Sequence, residues 1–300
     1  MQPSVPGLLL AALAAAAAVP ALPAAGIPAP AASAAVSAYA VPLAPADVGR
    51  LRAHWTPQRM AAASGTGRPV HGSLWAGGGA VTATTGKIFF SARGRDYMCS
   101  GSTVRSANRD VVITAGHCVR PAEGGWAADW VFVPGYREGR APYGVYPARR
   151  MFVPRAWKRR RDGDHDVALV AVGTAVDAGR AARHVGDVVG AQRIAFGGPG
   201  RTRTYAFGYP STGRYDGEHL AYCTGRPAHP RRHPTSGRGM RCDLTRGSSG
   251  GPWLADFDPA TGTGTVTTVS SFKFADDGTT MFGPPLGRDV RRAYDRAQHA

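Results

Sequence analysis

The sequence predicts an all-β domain closed by a single C-terminal helix. Two observations carry that reading. Short runs rich in β-branched and aromatic residues follow one another from Gly86 onward, with Gly, Pro and Asp in the gaps. Forty glycines and twenty-four prolines, scattered without a collagen-like period, supply the turns that such strands need. With 43% hydrophobic residues over 300 positions, the chain can also bury a core.

The predicted strands are, in order, KIFFSA, DVVITA, WVFVPGY, DVALVAV, RIAFGG, RTYAFGYP, HLAYCTG and TVTTVSSFKF. Many short strands with turns between them favour a sandwich or barrels over a βαβ fold. Gly287 to Gln298 is helix-compatible, with Val290 and Tyr294 at i and i+4 as its apolar face. Upstream, residues 35–78 are rich in Ala, Pro, Gly and Ser, with only a short helix expected around Pro57 to Ala63. They read as a propeptide or a disordered N-terminal arm with no evident core. Residues 1–34 read as a signal peptide: an apolar run from Leu8 to Val19 precedes small residues that include the triplet Ala32-Ser33-Ala34. No Lys or Arg precedes that run, so a disordered Ala/Pro-rich leader is the rival account. No later segment approaches the ~18 apolar residues of a membrane span.

Cys99, Cys118, Cys223 and Cys242 form an even set that suits an oxidising compartment. Of the three possible pairings, the local one is expected: Cys99 with Cys118 and Cys223 with Cys242. Each bridge closes a loop of about 20 residues and contributes roughly 3 kcal/mol in the chain-entropy account. A zinc site is the competing use, because His229 and His233 lie between Cys223 and Cys242. The nested order and the missing short Cys-x-x-Cys hook argue against it, so no metal and no cofactor are expected.

The formal charge of +16 invites a nucleic-acid reading, with RAWKRRR (Arg155 to Arg161) and HPRRH (His229 to His233) as its best supports. Yet every basic residue except Lys87, Lys158 and Lys273 is Arg, spread along the chain with few aromatics interleaved. Attraction to anionic surfaces follows from the charge; specific nucleic-acid binding has no motif behind it.

Three segments carry chemistry when taken together. DVVITAGHCV runs a strand into His117, DGDHDVALVAV sets Asp166 at the mouth of an apolar strand, and GSSGGP surrounds Ser249 with glycines. A serine hydroxyl is a poor nucleophile until a base takes its proton, and the base must be held in one tautomer by an acceptor on its other nitrogen. His117 fits the base and Asp166 the acceptor. The backbone N–H groups of Gly247 and Ser249 are the natural oxyanion hole, since glycines permit close approach and Pro252 stiffens the exit.

TAGHC, DVALV and GSSGGP, in the order His, Asp, Ser, resemble the catalytic motifs of chymotrypsin-like serine peptidases. CDLTRGSSGGPW, the GYP at Gly208 to Pro210 and the terminal helix are most similar to the secreted bacterial branch that includes glutamyl endopeptidases. The resemblance spans about residues 80 to 286. It implies two packed six-stranded antiparallel β-barrels, the first over about 79–180 and the second over about 181–286, followed by the helix 287–298. It also implies that Cys99 and Cys118 staple the histidine loop. The activity implied is that of a secreted, extracellular, monomeric serine endopeptidase acting on a protein or peptide substrate.

Two positions depart from better-known members. Ser248 stands where the digestive branch has the aspartate that pairs with a new N-terminal amine, so that activation switch is expected to be absent. Asp243 lies six residues before Ser249, as in trypsin-like members, but Cys242 lies seven before it rather than four. Asp243, Ser270 and Ser271 are the expected specificity-pocket residues, and both a basic preference and a purely structural Asp243 stay open. Thr268 to Phe274 offers no histidine for glutamyl specificity. The competing functional readings are a catalytically silent binding module on the same frame, a basic polymer-binding protein, and an esterase-type hydrolase.

Overall fold

A computed structural model describes residues 36–62, 72–121, 125–175, 183–198, 200–231 and 233–300; the signal-peptide reading lies outside these residues. Eight strands come first: β1 (Val36–Ala40), β2 (Ser73–Leu74), β3 (Thr85–Ala92), β4 (Arg95–Thr103), β5 (Val111–Thr114), β6 (Ala128–Pro134), β7 (Tyr146–Pro154) and β8 (Ala168–Val172). Strands β3 to β8 close into a six-stranded antiparallel barrel in the order β7-β6-β3-β4-β5-β8, because β8 also pairs with β7. A register shift between Ala148 and Arg150 accompanies that closure, as bulges bend strands. Alternation along β3 shows why the ring forms: Ile88 and Phe90 enter the barrel core with Val112, Phe132 and Val170, whereas Phe89 packs outside with Val131 and Val133. Every residue of β8 is buried, because its two faces meet different cores.

The second half contains β9 (Arg193–Ile194), β10 (Thr204–Gly208), β11 (Ala221–Gly225), β12 (Arg238–Arg241), β13 (Pro252–Asp258), β14 (Thr263–Val269), β15 (Phe272–Phe274) and β16 (Asp277–Gly283). Its strands are divided between a six-stranded sheet, β2-β11-β10-β13-β14-β9, and a three-stranded sheet, β12-β16-β15. Within the larger sheet β9 pairs parallel to β14. The two halves meet along one apolar cluster: Val111, Ile113 and Leu169 from the first, Phe207, Leu254 and Val266 from the second. The terminal helix Arg288–Ala297 seats Val290, Ala293 and Ala297 in the same cluster, a stripe at helical spacing. Among the described residues no helix is long and apolar enough to cross a membrane.

The N-terminal segment departs from expectation. β1 pairs with β7 from Val36 opposite Pro154 to Ala40 opposite Arg150, and helices follow at Pro45–His54 and Pro57–Ala62. Leu51, Trp55 and Met60 are buried against Phe89, Val131 and Tyr136. A segment read as coreless thus covers the apolar outer face of β3 and β6. Three large side chains spaced through 50–60 suffice for that, although Ala and Pro dominate the composition around them.

Both local disulfides are present: Cys99–Cys118 with Cα atoms 6.2 Å apart, and Cys223–Cys242 at 5.5 Å.

Candidate active site

The β5–β8 ladder brings two of the expected side chains together. Thr114 pairs with Ala168, so the chain leaving β5 and the chain entering β8 emerge side by side. A 3-10 turn at Gly116–Cys118 presents His117, and a second at Gly163–His165 presents Asp166. Asp166 is only 3% exposed. Its Oδ1 accepts the backbone N–H of His117 at 2.8 Å and its Oδ2 lies 2.7 Å from His117 Nδ1. A carboxylate only accepts, so Nδ1 carries the proton and a neutral ring keeps its lone pair on Nε2. Burial works against the charged imidazole, but the Asp166 charge and hydrogen bond outweigh it and hold His117 above the ordinary value. Trp157 packs nearby, its ring centroid 6.4 Å from that of His117.

Ser249 comes from an irregular turn between β12 and β13. Gly247 and Gly250 have φ of +93° and +80°, and a Cβ at either would strike backbone: Tyr209 O at 2.4 Å for Gly247, Ser100 O at 2.4 Å for Gly250. Only glycine fits both positions. The turn is tied down by its carbonyls. Ser211 donates N–H (2.7 Å) and Oγ–H (3.2 Å) to Arg246 O, the Gly251 amide donates to Ser248 O (3.0 Å), and Ser100 Oγ donates to Gly247 O (2.8 Å). Because a trans peptide points N–H opposite to C=O, anchoring the Arg246 and Ser248 carbonyls turns the Gly247 and Ser249 amides the other way. Among the described residues neither amide donates to a protein acceptor. His117, Gly247 and Ser249 line one cavity of about 500 Å³, together with Phe90, Tyr97 and Met98.

The three expected pocket residues fare differently. Asp243 does not line this cavity; it lines another with Gly72, Tyr222 and Thr224, where Arg214 Nη2 lies 2.6 Å from Oδ2 and the Tyr215 hydroxyl donates to Oδ1 at 2.9 Å. Ser270 is fully buried, its Oγ accepting the Trp253 indole N–H at 3.0 Å. Ser271 donates its hydroxyl to Asp166 Oδ2 at 2.5 Å, making it a second partner of that carboxylate rather than a pocket edge. Sequence reasoning missed Ser100 and Ser211 altogether. Ser100 follows Cys99 directly, and that adjacency to the disulfide under His117 was the available signal.

Cys99, His117 and Cys118 place potential metal-ligand atoms within 4.8 Å of one another. The disulfide consumes both thiols and Asp166 holds Nδ1, so these residues do not fit a metal ion. The alternative zinc set loses its cysteines to the second disulfide, while His233 stacks on Phe274 at 3.7 Å and reaches Asp276 at 3.3 Å.

Residues 99–258 match the family described as trypsin-like peptidase domain. The protease Anisep from Arthrobacter nicotinovorans is 33% identical over 73% of this chain and 96% of its own, with a TM-score of 0.67. A thermostable serine protease, AL20, from an extremophilic microorganism is likewise 33% identical, over 74% of this chain and 99% of its own, with a TM-score of 0.66. The extracellular metalloprotease of Bacillus subtilis (strain 168) is 32% identical over 74 residues, 25% of this chain; the chain spans only 23% of that protein's length.

Proposed function

Since this chain belongs to the trypsin-like peptidase family and is a serine endopeptidase, we propose that it cleaves polypeptides outside the cell through an acyl-enzyme on Ser249. The observation that carries the reading is the single cavity onto which His117 and Ser249 open, with Asp166 behind the imidazole and two undonated amides beside the serine. His117 Nε2 takes the Ser249 hydroxyl proton as Oγ attacks the substrate carbonyl, then returns it to the leaving amine; water repeats the cycle on the ester. Asp166 keeps the imidazole in the required tautomer and offsets its charge, and Ser271 fixes Asp166 in turn. The amides of Gly247 and Ser249 stabilise the oxyanion. The paired cysteines and the likeness to bacterial proteases support the extracellular assignment.

The peptidase unit on this reading is residues 79–300, with 36–62 docked on the outside of its barrel. None of residues 36–62 lines the cavity that holds Ser249, so this part of the segment braces the fold without covering the cleft.

Labelling with a fluorophosphonate, beside a Ser249→Ala variant, tests the assignment. Covalent label on the wild type and none on the variant is the expected result. A folded, disulfide-bonded wild type that stays unlabelled would instead identify a silent binding module.

A further inference from the structure

The two Arg-rich stretches, far apart in sequence, are both tied to the segments that carry His117 and Asp166. The helix Arg155–Arg160 carries Lys158, Arg159 and Arg160 as exposed side chains, and its buried Trp157 sits against His117. The next turn holds Asp164, which accepts the Thr235 hydroxyl and the amides of Ser236 (2.8 Å) and Gly237 (3.3 Å). That carboxylate, held low by these donors against the opposing effect of burial, fastens the loop bearing exposed Arg231 to the turn before Asp166. β15 touches both the turn and the loop. Phe272 faces Gly163, whose absent Cβ would come within 3.4 Å of its ring, and Phe274 is stacked by His233. Both phenylalanines are only partly buried, and β15 follows directly on Ser271, the partner of Asp166.

The nearby carboxylates each have local partners: Asp162 with Arg160 at 3.4 Å and His165 at 3.1 Å, Asp164 as above, Asp276 with His233 at 3.3 Å, and Asp277, which lines one cavity with Arg231, with the Thr279 hydroxyl at 2.8 Å and the Thr279 and Thr280 amides at 3.1 Å. Among the described residues Lys158, Arg159 and Arg231 make no ion pair, so unpaired positive charge flanks the aromatic pair that follows directly on Ser271. A cleft walled by one sign of charge concentrates ligands of the other sign and steers them in.

We propose that these basic residues select polypeptide substrates carrying carboxylates on one side of the scissile bond. The proposal rests on the peptidase reading above and adds to it a substrate class set by Lys158, Arg159, Arg160 and Arg231. Exposed ion pairs are individually weak, so several acting together give about a tenfold preference, expressed in KM and erased at about 1 M salt.

The test uses the full chain and fluorogenic peptides that differ only in bearing Glu, Gln or Lys over the residues before, or after, the scissile bond. At low ionic strength the Glu series on one side alone should show a kcat/KM about tenfold above Gln and higher still above Lys. The double variant Arg159→Glu/Arg160→Glu should invert that order while leaving fluorophosphonate labelling and hydrolysis of a small uncharged ester unchanged. Should that variant fail to label, Lys158→Gln/Arg159→Gln should halve the preference or better. Equal kcat/KM for Glu and Lys peptides in the wild type would overturn the proposal, as would a variant that keeps the wild-type order. Salt-sensitive retention on a sulfated polysaccharide without any peptide preference would also overturn it, assigning these residues to polymer docking. Loss of ester hydrolysis and label in the wild type would remove the peptidase reading itself, an outcome separate from all of these.

Discussion

The two halves of the molecule hold the proposed catalytic groups by different means. His117 and Asp166 hang from the ends of paired strands in a closed barrel, so their separation is inherited from the β5–β8 register. Ser249 sits on an irregular turn, and much of its position comes from the opposite half: the Ser100 amide donates to Ser249 O at 2.7 Å and the Ser100 hydroxyl to Gly247 O at 2.8 Å. The proposed base is thus placed by secondary structure and the proposed nucleophile by a few hydrogen bonds across an interface. Substitutions in the first half should act on the proton chemistry, whereas those behind the turn should act on the oxyanion.

The largest effect is expected from Asp166→Asn. An amide in place of the carboxylate favours the wrong tautomer of His117 and removes the charge that offsets the imidazolium, for a loss of ~10⁴-fold in kcat. The pH profile sharpens the test. His117 must be neutral to act as base, and Asp166 raises its pKa, so the acid limb of wild-type kcat/KM should lie above the ordinary imidazole value of about 6.5. In the variant the limb should move to lower pH. A limb that stays in place would mean that Asp166 does not set the protonation of the base.

Ser100→Ala should cost less and act differently. It leaves the Gly247 carbonyl and the Tyr209 amide, which donates to Ser100 Oγ at 2.9 Å, without their buried partner, and so loosens the turn that carries the oxyanion donors. We expect a ~10- to 100-fold fall in kcat at nearly constant KM, below the cost of deleting an oxyanion donor outright. Binding of a peptide aldehyde, whose adduct carries the oxyanion, should weaken by the same factor. A variant that is less stable but equally active would break the comparison, since the turn would then hold itself.

This contrast also explains what could be read in advance. The proposed histidine, aspartate and serine could be picked out because each stands in a local setting its chemistry would demand: small residues before His117, an apolar strand after Asp166, glycines around Ser249. The strands of VVIT and ALVAV were legible from composition, whereas β4 and β7 were not, because RDYMCSGST and YPARRMFVP mix polar, small and proline positions that only their neighbours make strand-like. The N-terminal segment was misread for a related reason: burial of Leu51, Trp55 and Met60 depends on an apolar outer face of the barrel that composition does not reveal. Ser100, Ser211 and Ser271 act through partners 35 to 147 positions away, and no local pattern encodes such pairs.

Asp243 marks the limit of counting residues, and its substitution should have the smallest effect on catalysis. Six positions before Ser249 suggested a pocket floor, yet the carboxylate turns toward Arg214, whose side chain is only 11% exposed, and toward the Tyr215 hydroxyl. A charge already paired in that way has little left for a substrate cation, because displacing Arg214 would strand another buried charge. Asp243→Asn should therefore leave the ratio of kcat/KM for peptides with Arg or Leu before the scissile bond within about twofold, while lowering thermal stability through the unpaired guanidinium. Profiling both peptides alongside a melting curve separates the outcomes. A selective loss on the Arg peptide would bring Asp243 back into the catalytic cleft, and the second half would then owe its specificity, unlike its nucleophile, to residues of its own.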